Sequence, residues 1–216
     1  LRRAVAERDE WCLSRQRVWG VPVPAVHCTT CPAAWLHSAV CRAVATWVEE
    51  HGGIDHWDAS SVEETLGAAG VPLPPQCPCG EARVLQWGGD VLDVWFDSGV
   101  AHFALLGPCA DKVDLMLEGL DQFRGWFQAS LLCSMVLRGE APVRSVLVHG
   151  FVVDVDGCKL SKSKGTALSV EEAMRMQGPD VLRMWACTTS AGGDSVPVSP
   201  DALTALAGEY RKLRRT

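Results

Sequence analysis

Three groups of residues in this 216-residue chain have the types and spacing to do chemistry. The first is the run Lys159-Leu160-Ser161-Lys162-Ser163, reached through Val152-Val153-Asp154-Val155-Asp156-Gly157-Cys158 and followed by Lys164 and Gly165. Ammonium groups and hydroxyls alternate here after an apolar run, so the loop offers mobile cations and donors to an anion, and a polyphosphate matches several such charges at once. The second group is Cys28-Thr29-Thr30-Cys31 together with Cys77-Pro78-Cys79 far downstream. A CxxC knuckle and a CxC supply four thiolates, which suits a tetrahedral structural zinc, with buried free thiols as the alternative; His27, beside Cys28, is read as a bystander. The third is Glu118, Gly119, Asp121 and Gln122, where two carboxylates and an amide follow an apolar stretch. Carboxylates attract an ammonium or accept from hydroxyls, and they repel phosphate.

These groups need elements to hold them. Val113 to Leu117 reads as a short apolar strand. Asp121 stands where a helix N-cap would, and Gln122 to Leu137 carries Phe123, Trp126, Phe127, Leu131 and Met135 at helical period. Ser145 to Phe151 is a second apolar strand. Strand, helix, strand makes a βαβ unit with parallel strands and a right-handed crossover. In open parallel sheets ligands bind beyond the carboxyl ends of the strands, where helix N-termini offer free N–H groups. Glu118 to Gln122 lie at that edge, and His149-Gly150 close the next strand beside them; a lone histidine at a strand end is otherwise structural. A K-x-S-K-S string by itself is ordinarily solvated surface, and its place directly downstream of the βαβ unit is what gives it weight.

Elsewhere, Trp35 to His51 carries apolar residues at 36, 40, 43, 44, 47 and 48 and is predicted helical up to Gly52-Gly53, and Val62 to Ala69 is a shorter helix. Asp90 to Gly99 alternates acid and apolar residues, as a strand running into a pocket loop would, with Trp95 and Phe96 either walling a small apolar ligand or forming a core pair. Arg15 and Arg17, between Trp11 and Trp19, form either a phosphate or base clamp or a surface turn seated by its tryptophans. Three helices are expected over Ser169 to Met176, Pro179 to Thr188 and Ser199 to Arg215, the last capped by Ser199 with Pro200 in its first turn.

Composition bounds the function. Hydrophobic residues at 48% and charged residues at 21% describe a chain that buries a core, and the net charge of −6 argues against a nucleic-acid coat, leaving the basic run Arg211 to Thr216 as a local contact at most. No apolar run approaches the ~20 residues of a bilayer span, so no membrane is expected. Ten cysteines beside nine tryptophans and a large apolar fraction fit a reduced intracellular protein better than a disulfide scaffold. A start at Leu1 and a basic helical end lead us to expect a piece of a longer chain.

With these residues in place, the chain resembles the class I aminoacyl-tRNA synthetases, most closely the isoleucine group. The matching segments are WCLSRQRVWG at Trp11 to Gly20, DVLDVWFDSG at Asp90 to Gly99, LEGLDQFRGWF at Leu117 to Phe127, HGF at His149 to Phe151, and KLSKS at Lys159 to Ser163, which is similar to the KMSKS signature. The WFDSG ending and LEG-x-DQ resemble the isoleucine enzymes rather than the valine enzymes. The resemblance implies an α/β fold: the second half of a Rossmann-like catalytic domain, a small zinc-ribbon-like insertion, and the start of an α-helical domain. The implied segments are 1–110 (end of a connective insertion, zinc-ribbon-like part and pocket loop), 111–156 (βαβ unit), 157–198 (KMSKS-type loop and following helices) and 199–216 (start of the anticodon-binding domain). It implies ATP-dependent activation of L-isoleucine to the adenylate and transfer to tRNA(Ile). Glu118 and Gly119 would contact the aminoacyl-adenylate, Asp121 and Gln122 the ribose and the amino group, and Trp95 the side-chain pocket. Backbone at His149, Gly150 and Val152 would hold the adenine, and Lys162 with Lys159 the phosphates of ATP bound with magnesium. A cytoplasmic monomer is expected, with mitochondrion or plastid as the alternative compartment.

Two departures stand out. Leu160 replaces the signature methionine, a volume-conserving change. No HIGH-type motif is present, and His51-Gly52-Gly53 does not supply one, so this stretch alone is expected to be inactive. The competing readings are a zinc-ribbon nucleic-acid-binding module, disfavoured by the acidic charge, and a synthetase paralogue that has lost catalysis.

Overall fold

The computed structural model describes residues 1–55, 57, 60–72, 77, 79–80, 85–107, 111–158, 160, 168–189 and 194–216, which pack as two units. One unit comprises Leu1–Val5 with His102–Thr216, and the other Ala6–Ala101.

In the Ala6–Ala101 unit, β1 (Ser14–Arg15) pairs antiparallel with β5 (Val91–Leu92). A second sheet places β2 (Val26–Cys28) between β3 (Ala34–Trp35) and β4 (Leu85–Trp87), both antiparallel to it. Helices α2 (Ser38–His51) and α3 (Val62–Ala68) cover this sheet, so Val26, Val40, Ala43, Val62 and Leu66 form the core, closed by Trp35, Val71, Leu85 and Trp87. The first of these helices starts later than its apolar period suggests. Trp35 is drawn into β3, and the His37 ring accepts the Ala39 N–H at 3.2 Å to set the N-terminus. Gly52, at φ 76°, ends it in the left-handed region that glycine enters without a Cβ penalty.

The stretch from Asp90 to Gly99 is mostly helix rather than a long strand. Only Val91–Leu92 extend, and α4 (Val94–Leu106) begins at once, because Asp93 caps it: the Trp95 N–H donates to Asp93 Oδ1 at 3.4 Å and the Phe96 N–H to the Asp93 carbonyl at 2.7 Å. The acid-apolar alternation came from a cap and a first helical turn, not from a pleat.

In the other unit, α1 (Arg2–Ala6) precedes the βαβ core: β6 (Val113–Gly119), a 3-10 turn (Leu120–Arg124), α5 (Trp126–Arg138) and β7 (Val143–His149). The strands are parallel, with Val113 opposite Val143 and Gly119 opposite His149. Phe127, Ala129, Ser130, Cys133 and Ser134 form the buried stripe of α5. The helix starts four residues later than the apolar period indicates because the Gln122 Oε1 accepts the Trp126 N–H at 3.0 Å, leaving residues 120–124 as a separate tight turn.

Beyond it, β8 (Val152–Val153) leads into a tight turn in which the Asp154 N–H donates to the Cys158 carbonyl at 2.9 Å, and β9 (Val196–Pro197) pairs parallel with β8. Helices α6 (Val170–Gln177), α7 (Pro179–Thr188) and α8 (Pro200–Leu213) fall within a residue or two of their predicted bounds, since each has an explicit start signal in Ser169, Pro179 or Ser199-Pro200. Leu203 and Ala207 of α8 bury with Val181 and Ala173, while Tyr210 donates to Asp180 at 2.8 Å and Gln177 to Thr204 at 2.9 Å. Tyr210 is Asp180's largest influence, and with the Arg183 bond it holds that carboxyl below the usual range.

Candidate functional site

At the carboxyl ends of β6 and β7 the side chains turn from packing to display. Gly119 and His149 are register partners, so the last residue of each strand faces the other across the ladder. A Cβ placed on Gly119 would lie 2.8 Å from Asp121 Oδ1 and 3.5 Å from His149 Cε1. The carboxylate and the imidazole therefore lean over the one position that has no side chain, and the opening between them exists because residue 119 is glycine. Glu118 precedes it, half-buried, and Asp121 is exposed on the 3-10 turn.

The hydrogen bonds at this edge define what each group has left to give. His149 Nδ1 lies 2.8 Å from the Gly150 carbonyl, an acceptor only, so Nδ1 is the donor in that contact and the Nε2 edge of the ring lies toward Gly119. Gln122 Oε1 accepts the Trp126 N–H of the α5 N-terminus, which leaves its amide N–H donors and one lone pair. The N–H donors suit a hydroxyl oxygen, and the remaining lone pair, like the Asp121 carboxylate, accepts from an ammonium.

Next to the pair opens a cleft of about 290 Å³, lined among others by His149, Gly150, Val152, Leu147, Trp185 and Thr189. The volume and largely apolar walls suit a flat aromatic ring system. Gly150 is compelled here for a steric reason: a Cβ would run into the Asp194 carbonyl and the Ser195 nitrogen. Trp185 and Thr189, on and just after α7, were not singled out from sequence, because a tryptophan at helical spacing reads as core. The parallel β8–β9 pairing, Val152 opposite Val196, belongs to the same region, and no local pattern announces it.

The structure thus brings together Glu118, Gly119, Asp121, Gln122, His149, Gly150 and Val152. Trp95 is in the Ala6–Ala101 unit, in the first turn of α4, and is 40% exposed. Lys159 and Lys162 lie outside the described residues. Arg15 is no free clamp: its guanidinium pairs with Asp93 at 2.8 Å, and the Trp11 indole donates to the same carboxylate at 2.8 Å. Nearby Trp19, 82% exposed, stands clear of the surface and so does not seat the turn on a core.

The four cysteines meet. Cys28, Cys31, Cys77 and Cys79 place all four sulfurs within 4.8 Å of one another, with Cys31 to Cys77 and Cys77 to Cys79 at 3.2 Å and Cys28 to Cys79 at 4.0 Å. A tetrahedral ion bound at ~2.3 Å to each sulfur sets them ~3.8 Å apart, so the donor set fits a zinc-sized ion. The Thr30 N–H, 3.4 Å from the Cys28 sulfur, pulls that thiol down to about 6, helped by hydrogen bonds from Cys77 and Cys31. For Cys77 the Cys79 backbone pulls downward, yet burial and the neighbouring sulfurs outweigh it and push the thiol up to about 12. His27 is not a member: its ring packs on Gly88.

Comparison with known proteins identifies the family. A family model of the class I tRNA synthetases (I, L, M and V) matches residues 1–197. The isoleucine–tRNA ligase of Caldanaerobacter subterraneus subsp. tengcongensis is 42% identical over 215 residues, 98% of this chain and 22% of that protein. The isoleucine–tRNA ligase of Methylococcus capsulatus is 42% identical over 218 residues, again 98% of this chain and 22% of its own. The chain thus spans about a fifth of the length of these relatives. Among solved structures, the Agrobacterium radiobacter K84 agnB2 LeuRS, in a ternary complex with tRNA and LeuAMS, superimposes with a TM-score of 0.62 at 21% identity, covering 95% of this chain and 27% of that one, which shows the shared fold. This chain belongs to the class I tRNA synthetases, with the α/β catalytic-domain fold of that family. None of its described helices is long and apolar enough to cross a membrane.

Proposed function

We propose that this chain is the part of an isoleucine–tRNA ligase that holds the adenylate, acting with ATP and L-isoleucine and then with tRNA(Ile). In that reaction a carboxylate oxygen of isoleucine attacks the α-phosphorus of ATP, pyrophosphate leaves, and a terminal hydroxyl of the tRNA then takes the acyl group and releases AMP. The protein supplies no nucleophile; its work is orientation and the placement of charge.

The observation that carries the reading is the opening over Gly119 between Asp121 and His149, in a chain 42% identical to an isoleucine–tRNA ligase. Glu118 and Gly119 contact the aminoacyl-adenylate. Asp121 and Gln122 contact the adenosine ribose and the substrate amino group. Adenine lies against His149, Gly150 and Val152, in the cleft that Trp185 also lines. Lys162, with Lys159, binds the ATP phosphates, and magnesium bound with ATP offsets their remaining charge. Trp95 lines the pocket for the isoleucine side chain. A zinc ion held by Cys28, Cys31, Cys77 and Cys79 serves the fold. The bacterial relatives fit a cytoplasmic enzyme, and we take it to be a monomer.

The test is equilibrium binding of a non-hydrolysable isoleucyl-adenylate analogue to the full-length protein that contains this chain. Saturable binding, weakened about 50-fold or more in Glu118→Ala, is expected for loss of a charged contact. Absence of saturable binding, or a Glu118→Ala variant that binds like the parent, overturns the assignment. For the lysine loop, Lys162→Ala should lower ATP–pyrophosphate exchange by at least about 100-fold with tRNA binding little changed; equal losses in both would make the loop a structural element.

A further inference from the structure

Helix α7 closes on two threonines in succession, and only the second meets the cleft beside the strand edge. Thr188 is exposed, and its Oγ1 donates to the Met184 and Trp185 carbonyls at 2.9 and 3.2 Å. Thr189 is half-buried, its Oγ1 donates to the Ala186 carbonyl at 3.0 Å, and it lines the cleft of about 290 Å³ together with Trp185. Both hydroxyls do the same for the helix end, satisfying carbonyls of the last turn that have no partner within the helix. A threonine oxygen has one proton and two lone pairs, so with its proton directed at Ala186, Thr189 Oγ1 is left as an acceptor.

Few other groups in the cleft can play that part. Among the described residues that line it, only His149, Trp185 and Thr189 carry polar side-chain atoms. His149 Nδ1 is engaged with the Gly150 carbonyl and its Nε2 edge lies toward Gly119, while an indole N–H only donates. Thr189 is therefore the residue that brings a side-chain acceptor to the α7 wall. A largely apolar cleft with an indole in its wall suits a planar ring, and a lone acceptor there tells such rings apart by their substituents. An amino group donates to the hydroxyl as it stands. A ring carbonyl meets lone pair with lone pair, unless the hydroxyl turns and leaves Ala186 unpaired.

We propose that Thr189 is a specificity-determining residue of this cleft: its hydroxyl, held by the Ala186 carbonyl, accepts a hydrogen bond from the exocyclic amino group of the bound purine, so that the cleft takes a 6-aminopurine nucleotide and rejects a 6-oxopurine. This rests on the isoleucine–tRNA ligase reading above, in which the cleft receives ATP. Thr188 supplies the internal control, since it makes the same kind of helix-end bond and is not among the residues lining the cleft.

The experiment is isoleucine-dependent pyrophosphate exchange by the full-length protein with ATP and with purine riboside 5′-triphosphate, which lacks only the amino group, for the wild type, Thr189→Val, Thr189→Ser and Thr188→Val. In the wild type the KM for ATP should be about tenfold below that for the purine riboside nucleotide, the worth of one neutral hydrogen bond. Thr189→Val keeps the shape and removes the acceptor, so the ATP KM should rise about tenfold, the purine riboside KM stay within about twofold, and the preference vanish. Thr189→Ser should retain the preference, and Thr188→Val should leave it and both KM values unchanged. A purely helix-end role predicts equal losses for the two nucleotides in Thr189→Val, or the same losses in Thr188→Val, and either result overturns the proposal. Should Thr189→Val fail to fold, a wild type that uses both nucleotides equally well overturns it without any variant. A wild type with no isoleucine-dependent exchange overturns the ligase reading and this inference with it, whereas exchange that is present but blind to the amino group overturns this inference alone.

Discussion

The four-cysteine cluster and the open edge of β6 and β7 are both clusters of polar side chains, and they differ in where those side chains spend their bonding capacity. The sulfurs of Cys28, Cys31, Cys77 and Cys79 turn toward one another, two of the residues are buried, and the shortest contacts are within the group. At the strand edge Asp121 and His149 are exposed, each near Gly119, with the opening between them. Groups that satisfy one another have little left to offer a partner, whereas groups held side by side and facing outward keep bonding capacity for one.

That contrast is broken or sharpened most strongly at the cysteines. Removing the metal with a chelator, or replacing Cys77 by serine, should unfold the part of the Ala6–Ala101 unit that the knuckles close, because structural zinc contributes on the order of 10 kcal/mol to small zinc domains. Near one equivalent of zinc in the purified wild type, lost in Cys77→Ser together with an early thermal transition, is the expected result. Four freely titratable thiols in metal-free protein of unchanged stability would show that the cluster needs no ion. In the other unit the comparable weight is apolar. Phe127, 2% exposed and 5.8 Å from the Phe123 ring centre to centre, lies on the buried stripe of α5, and Phe127→Ala should cost about 3–5 kcal/mol in denaturant unfolding with the metal content unchanged.

The two regions were also unequally legible in the sequence. The βαβ unit with its parallel strands and the helices α6 to α8 follow from apolar period and explicit start signals such as Ser169, Pro179 and Ser199-Pro200, although the second strand begins at Val143 rather than Ser145 and its register was not foreseen. Cysteine spacing named the four ligand candidates, since CxxC and CxC restrict the possibilities before any fold is known. What stayed hidden depended on long-range partners. The Asp93 carboxylate receives Trp11 from 82 residues away, and the helix it caps looked like an alternating strand. Trp185 joins the cleft through the packing of α7, and β8 pairs with β9 across more than forty residues of intervening chain, a pairing that no local pattern marks. Local rules describe elements well and their meeting points poorly.

At the strand edge the prediction is a loss of function without loss of fold. Asp121→Ala removes an exposed carboxylate, so thermal stability should stay within the ±0.5 kcal/mol usual for surface changes, while isoleucine-dependent exchange falls about 100-fold, equivalent to ~2.7 kcal/mol. A melting shift as large as that of Phe127→Ala would instead place Asp121 among the supports of the 3-10 turn and blur the contrast between the two regions.

The smallest effect concerns an exposed cap, where polar groups satisfy one another without a metal. Ser169 and Glu172 form a capping box at the start of α6: the Glu172 N–H donates to Ser169 Oγ at 3.1 Å and the Ser169 N–H to Glu172 Oε2 at 3.0 Å. The Ser169 backbone N–H, then its hydroxyl, hold the Glu172 carboxyl below its ordinary range, and Arg175 adds to this. A carboxyl whose folded pKa is depressed stabilises the fold above its unfolded value, near ~4.3, and that contribution fades as the pH falls through the unfolded and then the folded pKa. Glu172→Gln keeps a capping-box acceptor and cannot titrate there. The wild type should therefore melt slightly higher than Glu172→Gln at pH 7, with the gap closing toward pH 3. A gap that stays constant across this range would mean that the hydrogen-bond geometry, and not the charge, sets the start of α6.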